Sequence, residues 1–138
     1  MKNLNYKKNL EQATVHNTEW KVALYIRVAT PNDDNGENDS VSSQREILEK
    51  YIELHPELKL YDIYVDNGWS GTNFSRPDFQ RMMRDITDGK VNCIIVKDLS
   101  RFSRDYVGSE IYINDIFPNN KVRFIAVNNC VDTINTVV

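Results

Sequence analysis

"VNCIIVK", residues 91–97, is the most continuously apolar segment of the chain. A run of this length and composition reads as a strand covered on both faces, as in a parallel sheet with helices above and below it. Just upstream, Pro77 suits the first turn of a helix that carries Phe79, Met82, Met83 and Ile86 and can end at Gly89. Downstream, "DYVGSEIYINDIF" (105–117) fits a further helix and "VRFIAVN" (122–128) a further strand.

The same alternation extends toward the N-terminus. "LYDIYVD" (60–66) reads as a strand and is preceded by "SVSSQREILEKYIELHP" (40–56), where Ile47, Leu48, Tyr51 and Ile52 recur at helical spacing. Ser43 and Glu46 stand three apart as a capping box, and the helix stops before Pro56. "VALYIRV" (22–28) is the first strand, followed by "TPNDDNGENDS" (30–40), a mobile loop by its turn formers. Strand, helix, strand, helix, strand, helix, strand calls for an α/β fold in three layers: a mainly parallel sheet of four or five strands, right-handed crossovers, and helices on both faces. Residues 1–20 read as a polar, partly flexible leader and 21–138 as one domain.

Bulk properties narrow the function classes. Apolar residues make up 41% and charged residues 27%, ordinary for a soluble globular chain. The net charge of -3 gives no global sign of a nucleic-acid partner, so DNA would have to be met by local charge. Cys93 lies inside an apolar run and reads as a small buried hydrophobe, which fits a reducing compartment. His16 and His55 have no neighbours at zinc spacing, so no metal is expected. No segment reaches the roughly 18 apolar residues of a membrane span, and the first 20 residues lack a signal peptide's apolar centre; the expected location is the cytoplasm.

Sites in open parallel sheets form beyond the carboxyl ends of the strands. There the chain places Arg27, Ala29 and Thr30, then Asp66, Trp69, Ser70, Gly71 and Arg76, then Lys97, Asp98, Ser100, Arg101, Ser103 and Arg104. Four of its eight arginines thus fall over one edge. Guanidinium groups gathered on a crevice call for a compensating anion, and their forked donors fit phosphate oxygens. Arg101 and Arg104, three apart, are expected on one face of a helix start. Strand alternation puts Tyr25, Arg27 and Ala29 on one face, so a side chain without reactive atoms stands where a nucleophile would meet the same phosphate. Trp69 and Phe74 are expected to pack over the core rather than to form a protein-contact loop.

"YIRVAT", "SVSSQREILEKY", "YVDNGWSGTNFSRPDFQRMM", "IIVKDLSRFSRDY" and "VRFIAVNNCVDT" together resemble the catalytic domain of serine site-specific recombinases, especially the large members that move transposons and phage genomes. The resemblance covers roughly residues 21 to 134 and implies the resolvase-like fold. In that family a serine at the end of the first strand attacks a DNA phosphodiester, forming a 5'-phosphoseryl link and freeing a 3'-hydroxyl. The resemblance implies that Arg27, Arg76, Arg101 and Arg104 bind DNA phosphate and that Ala29 occupies the nucleophile position. Gln44, Asp66, Ser70, Gly71, Ser100 and Asp98 are then supporting residues; Asp98 is either an acid–base group or a helix cap, and Ser100 replaces the aspartate of many smaller resolvases. It also implies catalysis without ATP, magnesium or any other cofactor, and a chain that cannot cut DNA as it stands.

The intact arginine set favours deliberate replacement of the serine over drift. Double-stranded DNA is the expected partner, bound mainly through downstream domains beyond Val138. Dimers or tetramers are expected for a full-length parent, and a monomeric or weakly dimeric state for this chain. Three competing readings remain: a non-catalytic DNA-assembly protein, a receiver-like phospho-signalling domain built on Asp66 and Lys97, and a small phosphatase. The receiver reading lacks an acidic pair after the first strand, and the phosphatase reading lacks a cysteine placed before an arginine.

Overall fold

The computed structural model describes residues 19–29 and 39–135. The first strand, β1, spans Trp20–Val28 and is followed by helix α1 at Val41–Glu53, β2 at Leu58–Asn67 and α2 at Pro77–Thr87. Next come β3 at Cys93–Val96, a single helical turn α3 at Leu99–Phe102, and a longer helix α4 over residues 106–119. β4 at Arg123–Ala126 and a short β5 at Val131–Asp132 complete the sheet. The strand order is β2-β1-β3-β4-β5, all parallel except the final β4–β5 pair. The α/β architecture read from the sequence is therefore present, with the fifth strand antiparallel at one edge.

Alternation along β1 divides the core. Trp20, Val22, Leu24 and Ile26 pack toward Leu48 of α1, while Ala23 and Tyr25 pack toward Phe79, Met82 and Ile86 of α2 and Phe117 of α4. Each face of the sheet is thus covered by helix, which produces the three layers. Cys93 is fully buried among these side chains, and burial pushes its thiol well above the ordinary range.

Several boundaries differ from the sequence expectation. β1 starts at Trp20, inside the segment read as leader; the indole is buried and Arg123 lies 5.3 Å over its ring. The rest of that leader, residues 1–18, lies outside the described residues, as do Thr30 and most of the loop read as mobile. α1 is capped by Ser40, whose hydroxyl accepts from Ser43 N at 3.1 Å, so Ser43 occupies the third helical position instead of serving as the cap. β2 begins two residues earlier than expected. Its register with β1 slips between Val22, opposite Leu60, and Ala23, opposite Asp62, leaving Tyr61 unmatched.

The helix expected over 105–117 runs as Tyr106–Ile111, widens into a π turn at Tyr112–Ile116 and finishes at Phe117–Asn119. In the widened turn Phe117 N donates to Tyr112 O, one residue farther back than in an α-helix, and Pro118, which has no N–H, follows at once. Among the described residues no helix is long and apolar enough to cross a membrane.

Candidate active site

β1 lies between β2 and β3, so its carboxyl end is flanked by the loops that follow those two strands. Arg27 is completely buried there. Its Nε donates to Arg101 O at 3.1 Å, Nη1 to Trp69 O at 3.0 Å, and Nη2 to Ser100 O. Arg101 answers through Nη1, which donates to Arg27 O at 3.2 Å. Backbone carbonyls therefore orient both guanidinium groups, and those around Arg27 carry no net charge to cancel its own. Burial first, then Arg101 and Arg76, press the Arg27 pKa down to about 10.

Gly71 is the joint between loops. Its carbonyl accepts from Arg104 N at 2.8 Å and from the Ser103 hydroxyl at 3.2 Å. A Cβ at Gly71 would lie 2.8 Å from Arg27 Nη2 and 3.0 Å from Arg104 Cγ, so the glycine allows both arginines to close on one point. Gly71→Ala is expected to dislodge the Arg27 guanidinium from its carbonyls and to destabilise the fold by about 1–3 kcal/mol, the usual range for overpacking. Urea unfolding measures this; an unchanged midpoint would mean that the loop yields freely.

Arg101 and Arg104 do not share a helix face, contrary to the spacing argument. α3 ends after one turn because Ser103 is extended, with φ -164° and ψ 147°, and its hydroxyl accepts from Asp105 N. Arg101 consequently points inward, 2% exposed, while Arg104 is exposed. Asp98 is the cap of α3 and accepts from Arg101 N at 3.2 Å. Ser100 donates its hydroxyl to Asp98, and the Ser70 hydroxyl pairs with Thr72 at 2.9 Å.

Arg76 and Asp66 occupy a different layer from the one their sequence positions implied. Arg76 is completely buried and donates to Asn73 O, the Tyr25 hydroxyl and Phe102 O, with its guanidinium 5.0–5.5 Å from the ring centres of Phe79, Phe74 and Tyr25. In this arrangement it braces the crevice from below and does not face an incoming anion. Asp66 accepts from Asp78 N and Phe79 N, both at 2.9 Å, and from the Tyr25 hydroxyl at 2.8 Å. The carboxylate thus caps α2 from the neighbouring strand. Burial raises the Tyr25 phenol above its ordinary pKa against the opposing pull of Arg76.

Gln44 is buried, and its Nε2 donates to Arg27 O at 3.0 Å and to Asp39 O at 2.9 Å. Asp39 is a residue that the sequence reading missed. It lies at the end of the turn-forming stretch, yet it is buried, accepts from Lys97 Nζ at 2.7 Å and stands at ion-pair distance, 3.4 Å, from Arg101 Nε. Tyr25, which links Arg76 to Asp66, was readable only as a face-mate of Arg27. Ala29 is 6% exposed and belongs to neither apolar cluster of the core. Trp69 stays exposed, whereas Phe74 packs against Phe79, Phe102 and Tyr112.

Arg27 and Arg104 therefore meet at Gly71, and Arg101 is bonded to the backbone of Arg27 near the end of β1. Comparison with known proteins gives this arrangement a family. The sequence profile described as "Resolvase, N terminal domain" matches residues 22–136. The chain is 30% identical over 107 residues to a putative DNA recombinase of Bacillus subtilis (strain 168), covering 78% of this chain and 20% of that protein. It thus spans about a fifth of that relative's length. It is 34% identical over 73 residues to the uncharacterized immunity region protein 3 of Bacillus phage phi105, covering 53% of this chain and 87% of that one.

Among solved structures, the N-terminal catalytic domain of TP901-1 integrase superposes with a TM-score of 0.74 at 36% identity, over 82% of each chain. A resolvase family site-specific recombinase from Streptococcus pneumoniae superposes with a TM-score of 0.67 at 30% identity, over 85% of this chain and 78% of that one. From its profile match, its relatives and its sheet, this chain belongs to the resolvase N-terminal domain family, the catalytic-domain fold of serine recombinases.

Proposed function

We propose that the crevice at the end of β1 holds a phosphodiester of double-stranded DNA, and that the domain is built for strand transfer through a 5'-phosphoserine at position 29. The observation that carries this reading is the convergence of Arg27 and Arg104 on Gly71, with Arg101 locked to Arg27 by reciprocal bonds to each other's backbone. Transfer at phosphorus accumulates negative charge on the equatorial oxygens, and preorganised guanidinium donors meet that charge. A phosphoserine ester replaces one phosphate ester by another, so the reading calls for no nucleotide cofactor, and the arginines supply charge that a metal would otherwise bring. With Ala29 in place the nucleophilic oxygen is missing, and the chain as it stands binds without cutting.

In this reading Arg27, Arg101 and Arg104 face the phosphate, while Arg76 and Asp66 position the strands beneath them. Gln44 ties the Arg27 carbonyl to the segment before α1. Sequence-specific DNA contacts and assembly into dimers or tetramers are further parts of this reading, made outside the crevice. A receiver-like role is disfavoured, because Asp66 is committed to capping α2 and Lys97 to Asp39. A non-catalytic assembly role is favoured by one observation, Ala29 itself.

Exposed Arg104 gives the direct test. Arg104→Gln is expected to weaken duplex binding evenly across sequences and to lower the dependence of log K on log salt by about one, the share of a single phosphate contact. Arg84→Gln on α2, away from the crevice, serves as the control. Equal effects of the two substitutions would overturn the phosphate assignment.

A further inference from the structure

We propose that Asp39 is an internal substitute for the substrate phosphate: its carboxylate holds Arg101 and Lys97 together before a phosphodiester arrives, and must give way for one to bind. The inference rests on the phosphate reading above and adds a device that regulates the same crevice.

The geometry carries it. The two oxygens of Asp39 are divided between two cations from different elements, Oδ1 toward Lys97 Nζ at 2.7 Å and Oδ2 toward Arg101 Nε at 3.4 Å. Lys97 follows β3 and Arg101 lies in α3, so a single carboxylate joins the two sides of the loop after β3. All three groups are shielded, with side-chain exposures of 5% for Asp39, 2% for Arg101 and 19% for Lys97. Two oxygens, one hydrogen-bonded to an ammonium and one at ion-pair distance from a guanidinium, stand where two non-bridging phosphate oxygens would meet the same cations.

Asp98, the other nearby carboxylate, stands 4.0 Å from Arg101 Nε and is committed to the cap of α3, so Asp39 is the one in competition. Asp39 is also placed to leave. Its backbone carbonyl is held by Gln44 at 2.9 Å, but it precedes the cap residue Ser40 and belongs to no helix or strand. The side chain can therefore swing away while the main chain stays tied to α1.

The test is titration of the 138-residue chain with dimethyl phosphate, a minimal phosphodiester, followed through the arginine Nε–H signals by NMR. Asp39→Asn keeps the shape but removes the charge, and is expected to bind about ten-fold more tightly, the worth of one charge-assisted hydrogen bond released from competition. Asp39→Glu keeps the charge and should stay close to the parent. The gain in Asp39→Asn should persist in roughly 0.5 M salt, whereas a general field effect, measured with surface Asp88→Asn, should be screened away. Parent binding with Asp39→Asn equal or weaker overturns the substitute role and leaves the phosphate reading standing. No binding by either protein overturns the phosphate reading, and this inference with it. Should Asp39→Asn not fold, the carboxylate carbon signal of Asp39 in the unmutated chain decides: it should shift as dimethyl phosphate saturates, and a signal unmoved at saturation overturns the inference.

Discussion

Ala29→Ser is expected to turn a chain that leaves DNA intact into one that forms a covalent protein–DNA adduct. The position accepts a hydroxyl at low cost. Ala29 lies outside both apolar clusters, at the end of a strand whose last carbonyl, that of Val28, already accepts from Gly68 N at 2.7 Å and Trp69 N at 3.2 Å. One added oxygen there should cost about 1 kcal/mol or less in folding, within the range for a hydroxyl that finds a partner. In the reaction the serine oxygen bonds to phosphorus, the 3'-oxygen departs and takes up a proton, and the serine proton passes to the surroundings. The arginines then hold the charge of the intermediate. A protein band carrying labelled DNA on a denaturing gel, absent from the Ala29 parent, is the expected result. Bound DNA with no adduct at any time would show that the oxygen is not aimed at phosphorus.

The second large effect concerns folding. Asp66→Ala removes one acceptor of three hydrogen bonds in a buried place: two backbone N–H groups at the start of α2 and the Tyr25 hydroxyl, which also carries Arg76. The attachment is reciprocal, because Asp78 in the first turn of α2 accepts from Val65 N of β2 at 2.8 Å. Stripping the carboxylate leaves two buried backbone donors and the Tyr25 hydroxyl without their acceptor, a loss of about 3–5 kcal/mol. Against total stabilities of roughly 5–15 kcal/mol, that brings the domain close to unfolding. Urea titration should show the midpoint collapse, with Asp66→Asn intermediate because one acceptor oxygen survives. A loss under about 1 kcal/mol for the alanine variant would remove Asp66 from the framework of α2.

Much of the fold was legible because its signals are local. The apolar run at 91–97, Pro77 at the first turn of α2, and the 2-residue alternation of β1 each act over a few residues and were met in the structure. The sheet was expected to have four or five strands, but β5 itself was not placed, since a two-residue strand has no period; it is held in place by the Arg123–Asp132 ion pair and by Thr133, whose hydroxyl accepts from Phe124 N. At the site, the gathering of arginines on one edge followed from topology alone. Their layering did not. Nothing in the spacing of Arg76 told that aromatic rings would enclose it, nor did the spacing of Arg101 and Arg104 reveal the extended Ser103 that parts them. Asp39 was hidden for a similar reason: a carboxylate among turn formers shows its importance only when distant cations close upon it.

The carbonyl shell around the arginines bears on how such a chain changes over generations. Because Arg27 and Arg101 each grip the other's main chain, and Arg76 ties a loop to the sheet, selection for folding alone would preserve all three whichever residue stands at position 29. Their presence is thus no record of chemistry by itself, and a lineage that folds this domain without cutting DNA would keep the same basic residues as one that cuts.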